Sequence, residues 1–208
     1  MGWYDVFARF YDASLEGQYV EQRAAATEAL DLSPGHNVLD VPCGTGQSFD
    51  SIAPAIADGG MLVGVDLSGG MLGRARARVE RHGWKHVHLV ESDVHALDDD
   101  AVAKQAGRAL SFDRLHVFLG MTAFPNWEDA FANLWGLLAP GGRAVIVDVH
   151  ADKPGFQGRM VNLVARADIS RTWWTPLQAV AKDYERTELP STWQHGGKIF
   201  LATGIKPR

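Results

Sequence analysis

The sequence has only one cysteine, no long apolar run and no excess of positive charge. The single cysteine, Cys43, excludes internal disulfides and is compatible with a reducing cytosol. No apolar stretch approaches the roughly 20 residues of a membrane-spanning helix, and the N-terminus lacks a signal-peptide pattern. A formal net charge of −5 argues against nucleic acid as a partner. We expect a cytoplasmic protein with a small-molecule substrate and no nucleic-acid partner, and leave its oligomeric state open.

Short apolar runs alternate with helical stretches along most of the 208 residues. The apolar runs lie at 38–41, 61–65, 87–90, 112–119 and 144–149, and the predicted helices between them at 46–57, 70–82, 97–109 and 127–138. A further helix begins near Tyr19. Alternation of this kind is typical of a parallel sheet with helices on both faces. We therefore predict a Rossmann-like α/β fold that forms a single domain over residues 1–208.

The C-terminal part has a different pattern. Residues 151–180 are predicted to be helical, and 181–189 and 197–205 to be strands joined by a turn. Two strands so close in sequence predict an antiparallel hairpin at one edge of a seven-stranded, mostly parallel sheet. The Pro-Gly-Gly run at 140–142 is predicted to end the helix before the fifth strand. The predicted segments are an N-terminal segment at 1–20, a cofactor-binding core at 33–150, a substrate-region insertion at 151–180 and a hairpin at 181–208.

A glycine-rich turn follows the first predicted strand. The stretch from Val38 to Gly46 is an apolar strand, the acid Asp40 and then a turn into a helix. Gly44 and Gly46 have no Cβ, so the backbone can approach a ligand closely and adopt positive φ. In an open α/β sheet, ligands bind beyond the carboxyl ends of the strands. Taken alone, this stretch is explained equally well as a tight strand–helix turn.

Two further acids end neighbouring strands. Asp66 lies about twenty residues after the glycines, where an acceptor for a ribose diol is expected. Asp93 ends the third strand, so that three acids stand at successive strand ends and favour a ligand site over isolated caps. A nicotinamide cofactor is less favoured, because Phe49 replaces the third glycine of the dinucleotide fingerprint. An acid at Asp40 also suits a cationic amino-acid group better than a phosphate.

The region from Asn37 to His150 resembles the class I S-adenosylmethionine-dependent methyltransferases. The resemblance is carried by the motifs at 40–46, 64–68, 92–94, 112–119 and 138–143. One departure is Pro42, where many members have glycine, and proline removes one backbone N–H. The resemblance implies an enzyme with S-adenosylmethionine as its cofactor.

The resemblance also implies cofactor-binding roles for residues at successive strand ends. These residues are Asp40, Pro42, Gly44 and Gly46 for the methionine end, Asp66 for the ribose, Leu67, Met71, Asp93 and Val94 for the adenine, and Phe118 and Leu119 beside the transferred methyl group. A hydrogen bond to a charged partner contributes about 1.5–3 kcal/mol, so the loss of Asp66 alone is expected to weaken binding clearly.

Methyl transfer from a sulfonium is an in-line displacement, and a base is needed only if the acceptor must lose a proton. His150, just past the fifth strand, is the candidate base, and Tyr11 is a candidate for hydroxyl contacts at the reacting centre. Cys43 is interpreted as a packing residue and His116 as a buried, hydrogen-bonded one. No metal is expected, because the histidines between 82 and 95 straddle a turn and a strand.

Apolar residues recur at helical spacing between Trp3 and Leu15. They are compatible with a helix docked on the core, with a lid over the cofactor as the resemblance implies, or with peripheral contact to a membrane surface. Together with apolar residues between Phe156 and Leu177, they predict a small hydrophobic or amphipathic acceptor: a quinol or phenol, an amine or an aminolipid. The C-terminal part is weakly similar to methyltransferases of quinone precursors and phospholipid head groups. The alternatives are a cofactor-binding protein that regulates or cyclises without methyl transfer, and an NAD(P)-dependent oxidoreductase.

Overall fold

A seven-stranded sheet in the order β3-β2-β1-β4-β5-β7-β6 forms the centre of the molecule. The computed structural model describes residues 19–57, 59–98, 102 and 111–208. The strands are β1 (Asn37–Asp40), β2 (Met61–Asp66), β3 (Val87–Glu91), β4 (Phe112–Phe118), β5 (Leu138–His150), β6 (Lys182–Leu189) and β7 (Lys198–Ile205). Strands β1 to β5 pair in parallel, and β7 is antiparallel to both β5 and β6. The predicted mostly parallel sheet with an antiparallel C-terminal hairpin is confirmed.

Helices cover both faces of this sheet. They are α1 (Val20–Ala29), α2 (Phe49–Ile56), α3 (Gly69–His82), α4 (Trp127–Leu137), α5 (Phe156–Ala165) and α6 (Thr175–Val180), with a short 3-10 helix at Trp193–His195. Most of the helix predicted at 97–109 lies outside the described residues. Among the residues that are described, none of the helices combines the length and apolar character needed to cross a membrane.

Successive residues of the central strands belong to two different apolar clusters, as the period-2 geometry of a strand requires. On β5, Val145 and Val147 pack with residues of α1, α2 and α3. Ala144 and Ile146 pack with residues of α4 and α6 on the opposite face. The central strands are therefore buried on both sides, which explains their nearly continuous apolar sequence.

The start of β5 differs from the prediction. The Pro-Gly-Gly run does not separate helix from strand, since α4 ends at Leu137 and β5 begins at Leu138. The pairing of β4 with β5 slips between Phe112↔Leu138 and Arg114↔Arg143, so the extra residues form a bulge. Gly141 permits the bulge with φ of +83°, and its N–H donates to the carbonyl of Lys206 in the C-terminal tail at 2.8 Å.

The segment 151–180 is two helices joined by a non-helical loop, not one helical stretch. Its apolar residues divide into two groups. Trp173 and Leu177 are fully buried in the core, whereas Phe156 and Leu163 on α5 are 82% and 71% exposed. The core therefore uses the loop and α6, and α5 presents an apolar face to the outside.

Trp173 provides a test of this division. Its side chain is fully buried and its Nε1–H donates to the carbonyl of Val149 at 3.2 Å, so Trp173→Ala removes both a large packing volume and a hydrogen bond. We expect the free energy of unfolding in urea to fall by about 3–5 kcal/mol. The matched control is Trp193→Ala at a 75% exposed tryptophan, which should change it by less than about 0.5 kcal/mol. Equal losses in the two variants would contradict the assigned core.

Candidate functional site

The turn between β1 and α2 depends on two glycines with left-handed backbone conformation. Gly44 has φ of +56° and Gly46 has φ of +78°. A Cβ placed on Gly44 would meet no atom within 4 Å, whereas one on Gly46 would lie 2.7 Å from the ring of Phe49. Gly44 therefore borders open space in which a ligand can approach the backbone, and Gly46 is required for packing below the turn.

Phe49 occupies the position where the dinucleotide fingerprint has its third glycine. The ring is fully buried between α2 and β2. A Cβ on Gly64 of β2 would lie 2.5 Å from this ring. Helix α2 thus approaches β2 closely because the ring of Phe49 fits against two glycines, Gly46 and Gly64. In the dinucleotide fingerprint, a glycine on the helix has this role.

Asp66 connects the turn to the end of β2. One carboxylate oxygen accepts the Gly44 N–H at 2.8 Å, and the other accepts the Ser68 N–H at 2.9 Å. Burial raises the pKa of Asp66, and these two N–H donors oppose the rise by stabilising the ionised form. Because each oxygen retains acceptor capacity, the carboxylate can still accept hydrogen bonds from the two hydroxyls of a ribose.

Asp40 lies beneath the turn and pairs with β4. It is 1% exposed, and its Oδ1 lies 2.7 Å from Nδ1 of His116, which is fully buried as predicted. Within the described part of the chain, Asp40 Oδ2 and His116 Nε2 have no hydrogen-bond partner. Asp40 is not among the residues that line the two cavities next to Arg23, which have volumes of about 80 and 340 Å³. Direct contact between Asp40 and the methionine end of a cofactor therefore stays a prediction.

Arg23 is a site residue that the sequence did not reveal. It lines a cavity of about 80 Å³ formed with Pro42, Gly44 and Phe118, and also an adjoining cavity of about 340 Å³. Its guanidinium lies 4.5 Å from the centroid of the Phe118 ring. The helical pattern after Tyr19 predicts α1, but a pattern alone does not indicate which side chain will face the strand ends.

The predicted adenine-binding residues lie around the ends of β2 and β3. Leu67 is 65% exposed beside Asp66, and Met71 is buried in the first turn of α3. Asp93 accepts from the backbone N–H of His95 at 2.9 Å and contacts its ring Nδ1 at 2.7 Å. These bonds lower the pKa of Asp93. Val94 is buried, and its carbonyl accepts from the side chain of Asn133.

The end of β4 packs directly against the glycine turn. Phe118 is buried and meets Tyr19 edge-on. Leu119 has φ of +56°, a strained value for a side chain of this size. A Cβ on Gly120 would lie 2.4 Å from Cδ of Pro42. The structure therefore brings the end of β4 next to Pro42, and the cofactor-binding roles of Pro42, Phe118 and Leu119 stay predictions.

No contact described in the structure links the two predicted catalytic residues, His150 and Tyr11, to the glycine turn. His150 is 8% exposed, with Nδ1 3.0 Å from the Arg171 carbonyl and Nε2 3.1 Å from Asp152 Oδ1. Its ring also meets Trp174 edge-on. Tyr11 lies outside the described residues, as do all of residues 1–18 of the predicted N-terminal segment. Both catalytic roles stay predictions.

The structure gives little support for nucleophilic catalysis by Cys43 or for metal binding by the described histidines. Cys43 is buried, and burial raises the pKa of its thiol well above the usual value, which suits a packing residue better than a nucleophile. Across the residues that the structure describes, no three histidine, cysteine or acidic side chains are grouped as metal ligands.

Comparison with known proteins identifies the family of this site. Residues 38–142 match the family model described as a methyltransferase domain. The chain is 26% identical to a demethylmenaquinone methyltransferase of Bacillus cereus over 128 residues, 61% of this chain and 50% of that protein. It is 25% identical to the enzyme of the same name from Lactococcus lactis over 136 residues, 65% of this chain and 51% of that protein. The chain spans about half the length of these curated relatives.

Solved structures share the fold. The N-methyltransferase NodS from Bradyrhizobium japonicum has a TM-score of 0.68 at 21% identity, over 90% of this chain and 96% of that one. A phosphoethanolamine N-methyltransferase from Haemonchus contortus, in complex with phosphomonomethylethanolamine and S-adenosylhomocysteine, has a TM-score of 0.76 at 14% identity. That match covers 98% of this chain and 58% of the other.

Two glycine substitutions test the packing below the turn. Gly46→Ala places a Cβ against Phe49 and imposes positive φ on alanine, so we expect a loss of about 1–3 kcal/mol in unfolding free energy. Gly73→Ala is the control, because it lies within α3 with no atom within 4 Å of a Cβ. That variant should gain up to about 1 kcal/mol. The same loss in both would show that the turn does not need its glycine.

Proposed function

The chain belongs to the class I S-adenosylmethionine-dependent methyltransferases, and from that premise we propose that it transfers a methyl group from S-adenosylmethionine to a small acceptor. The observation that carries the proposal is the carboxylate of Asp66, fixed beside the open glycine turn by the N–H groups of Gly44 and Ser68. The residues around this carboxylate fit the cofactor, since the space above Gly44 is open and the neighbouring Leu67 is exposed.

Asp66 is proposed to accept both ribose hydroxyls with its remaining lone pairs. Leu67 and Met71 provide an apolar surface for the adenine ring, and the exposed Leu67 side chain would be covered by it. Asp93 accepts the adenine amino group with the oxygen that His95 leaves available, while the backbone of Val94 meets a ring nitrogen. The contacts proposed on this side are thus made by residues at and just after the ends of β2 and β3 and by the first turn of α3.

The amino-acid end of the cofactor is proposed to lie at the smaller cavity. Arg23 supplies a positive charge for the cofactor carboxylate, and the glycine turn allows close approach to its backbone. Asp40, held by His116 below the turn, adds a negative charge on the side of the cofactor ammonium and sulfonium. Pro42, Phe118 and Leu119 form the apolar wall near the methyl group.

When bound, the cofactor supplies a methyl group with its own leaving group, so the protein contributes orientation and exclusion of water. His150 is proposed as the base where an acceptor must lose a proton. Its Nδ1 lies 3.0 Å from the Arg171 carbonyl, and its Nε2 lies 3.1 Å from the carboxylate of Asp152, whose side chain is exposed. Tyr11 is proposed to add a hydroxyl contact.

The acceptor is proposed to be small and hydrophobic or amphipathic. The observation that supports this is the exposed apolar face of α5, formed by Phe156, Met160 and Leu163. Relatives with quinone and phosphoethanolamine substrates in their names are compatible with a quinol, phenol, amine or aminolipid. The N-terminal segment 1–20 is proposed as a lid, because Tyr19 at its described end contacts Phe118 and His195.

Asp66→Asn tests the cofactor site. The amide keeps the size of the side chain but loses the charge and one acceptor oxygen, so the affinity for S-adenosylmethionine should fall about tenfold to a hundredfold. Isothermal titration at pH 7.5, with NADH as a second titrant, measures it. The control is Glu80→Gln, an exposed acid on α3, which should bind like wild type. Tight NADH binding without any response to S-adenosylmethionine would overturn the proposal.

A labelled-methyl assay tests the acceptor. We expect product from at least one member of a panel of quinols, phenols, amines and aminolipids. With that acceptor, Phe156→Ser combined with Leu163→Ser should raise KM about tenfold or more, because covering each apolar side chain contributes roughly 1–2 kcal/mol. Val180→Ser on α6 is the control for an exposed apolar residue away from α5.

The other outcomes of this assay decide between the alternatives. Cofactor binding with no methylated product from the whole panel would favour a protein that uses the cofactor without methyl transfer. An effect of the double variant that is confined to acceptors presented in vesicles would indicate contact with a membrane surface instead of an acceptor pocket.

A further inference from the structure

The loop that follows β4 is fixed at its centre by a buried carboxylate of β5. Asp148 is 1% exposed and its Oδ2 accepts the backbone N–H of Thr122 at 2.9 Å. Its Oδ1 accepts the Thr122 hydroxyl at 2.9 Å and the Val149 N–H at 2.8 Å. An ionised carboxylate is an acceptor only, and all three of these partners donate to it.

Thr122 is close in the chain to the part of the loop that contacts the glycine turn. Gly120, two residues earlier, leaves no room for a Cβ against Pro42, and Leu119 keeps its strained positive φ. The Leu119 N–H also donates to the carbonyl of Val147 on β5, at 2.8 Å. A shift of Thr122 would therefore move Leu119 and Gly120 relative to the turn.

The opposite side of the loop is held by the segment after α5. The backbone N–H of Asp168 donates to the Thr122 carbonyl at 2.8 Å. The Arg171 guanidinium donates to the carbonyls of Met121 and Phe124 at 3.1 and 2.7 Å. The segment after α5 therefore binds the carbonyl groups of the loop. The donors of Thr122, its N–H and its hydroxyl, bind Asp148 instead.

We infer that Asp148 is a positioning residue for the cofactor site: through Thr122 it holds Leu119 and Gly120 against the glycine turn, and it does so in its ionised form. Asp148 is almost fully buried, so its role is exerted through Thr122 and not by contact with a ligand. The inference rests on the proposed function, because Leu119 is a wall of the site only if S-adenosylmethionine binds there.

The ionisation of Asp148 gives this arrangement a pH dependence. Burial raises the pKa of Asp148 to about 6, against the effect of the donors. A protonated carboxyl is a weaker hydrogen-bond acceptor than a carboxylate, so the hold on Thr122 weakens as the pH falls through about 6. The charged and titratable side chains on the segments around the loop include His95, His150, Asp152, Asp168, Arg171 and Arg23.

Stability depends on pH in the opposite direction. The pKa of Asp148 is about 6 in the folded protein and near 3.9 in the unfolded chain. Below about pH 3.9 the carboxyl is protonated in both states, and its contribution to the free energy of unfolding is then largest. That contribution is lost as the pH rises through about 6. A purely structural role for Asp148 would therefore weaken the site at high pH. The positioning role predicts weaker cofactor binding at low pH.

The test is titration of the full chain with S-adenosylhomocysteine between pH 5 and pH 8. We expect Asp148→Asn to bind about tenfold more weakly than wild type at pH 8 and about equally at pH 5. Thr122→Val should behave in the same way, and Thr122→Ser, which keeps the hydroxyl, should restore binding to within about twofold of wild type. Asp183→Asn on the exposed edge strand β6 is the control and should follow wild type throughout.

Hydrogen exchange of residues 119–124 gives a readout without any ligand. Asp148→Asn and Thr122→Val should speed exchange of these amides roughly tenfold at pH 8, and Thr122→Ser should not. Folded variants that bind S-adenosylhomocysteine like wild type at pH 8, or a constant affinity ratio across the pH range, would overturn the inference. If wild type itself does not bind, the proposed function fails, which is a different outcome from equal binding by wild type and variants.

Discussion

The candidate site depends on the carboxylate of Asp66. Two backbone N–H groups from different elements donate to its two oxygens, one from the glycine turn and one from the start of α3. Ser68, whose N–H is one of these donors, accepts in turn from Met71 N–H and so caps α3. A single side chain thus fixes the separation of the turn and the helix. This bond helps to hold Gly44 in place next to the open space above it.

The turn is also limited from below and from the side. Phe49 fills the space under it against Gly46 and Gly64, and Gly120 approaches Pro42 from β4. At none of these three glycines is there room for a Cβ, so helix, strands and loop stand at distances fixed by close packing. The absence of the third fingerprint glycine is thereby explained: the chain moves the small residue to the strand and puts the aromatic ring on the helix.

The sheet and the turn were predictable because their signals are local. Runs of β-branched residues, glycines and acids at strand ends depend only on neighbours in sequence, and the structure places them as expected. The bulge at Pro140–Gly142 was misinterpreted, since glycine after a helix indicates an end and gives no sign of the pairing that follows. The bond between Asp40 and His116 joins residues 76 positions apart, and that between Thr122 and Asp148 joins residues 26 apart. No periodicity in the sequence encodes which side chains will meet across strands.

The two carboxylates that hold the site have a common electrostatic cost. Burial raises the pKa of both Asp66 and Asp148, so folding favours their protonated forms. Both hold their partners through bonds that only an ionised carboxylate can accept in full. Backbone N–H donors offset part of the cost of keeping these charges away from water, but burial has the larger effect and raises the pKa of both groups. Above the pH at which Asp66 and Asp148 ionise, the geometry around the turn is therefore maintained at a cost in the free energy of unfolding. Such a cost is expected of groups that are retained for binding more than for folding.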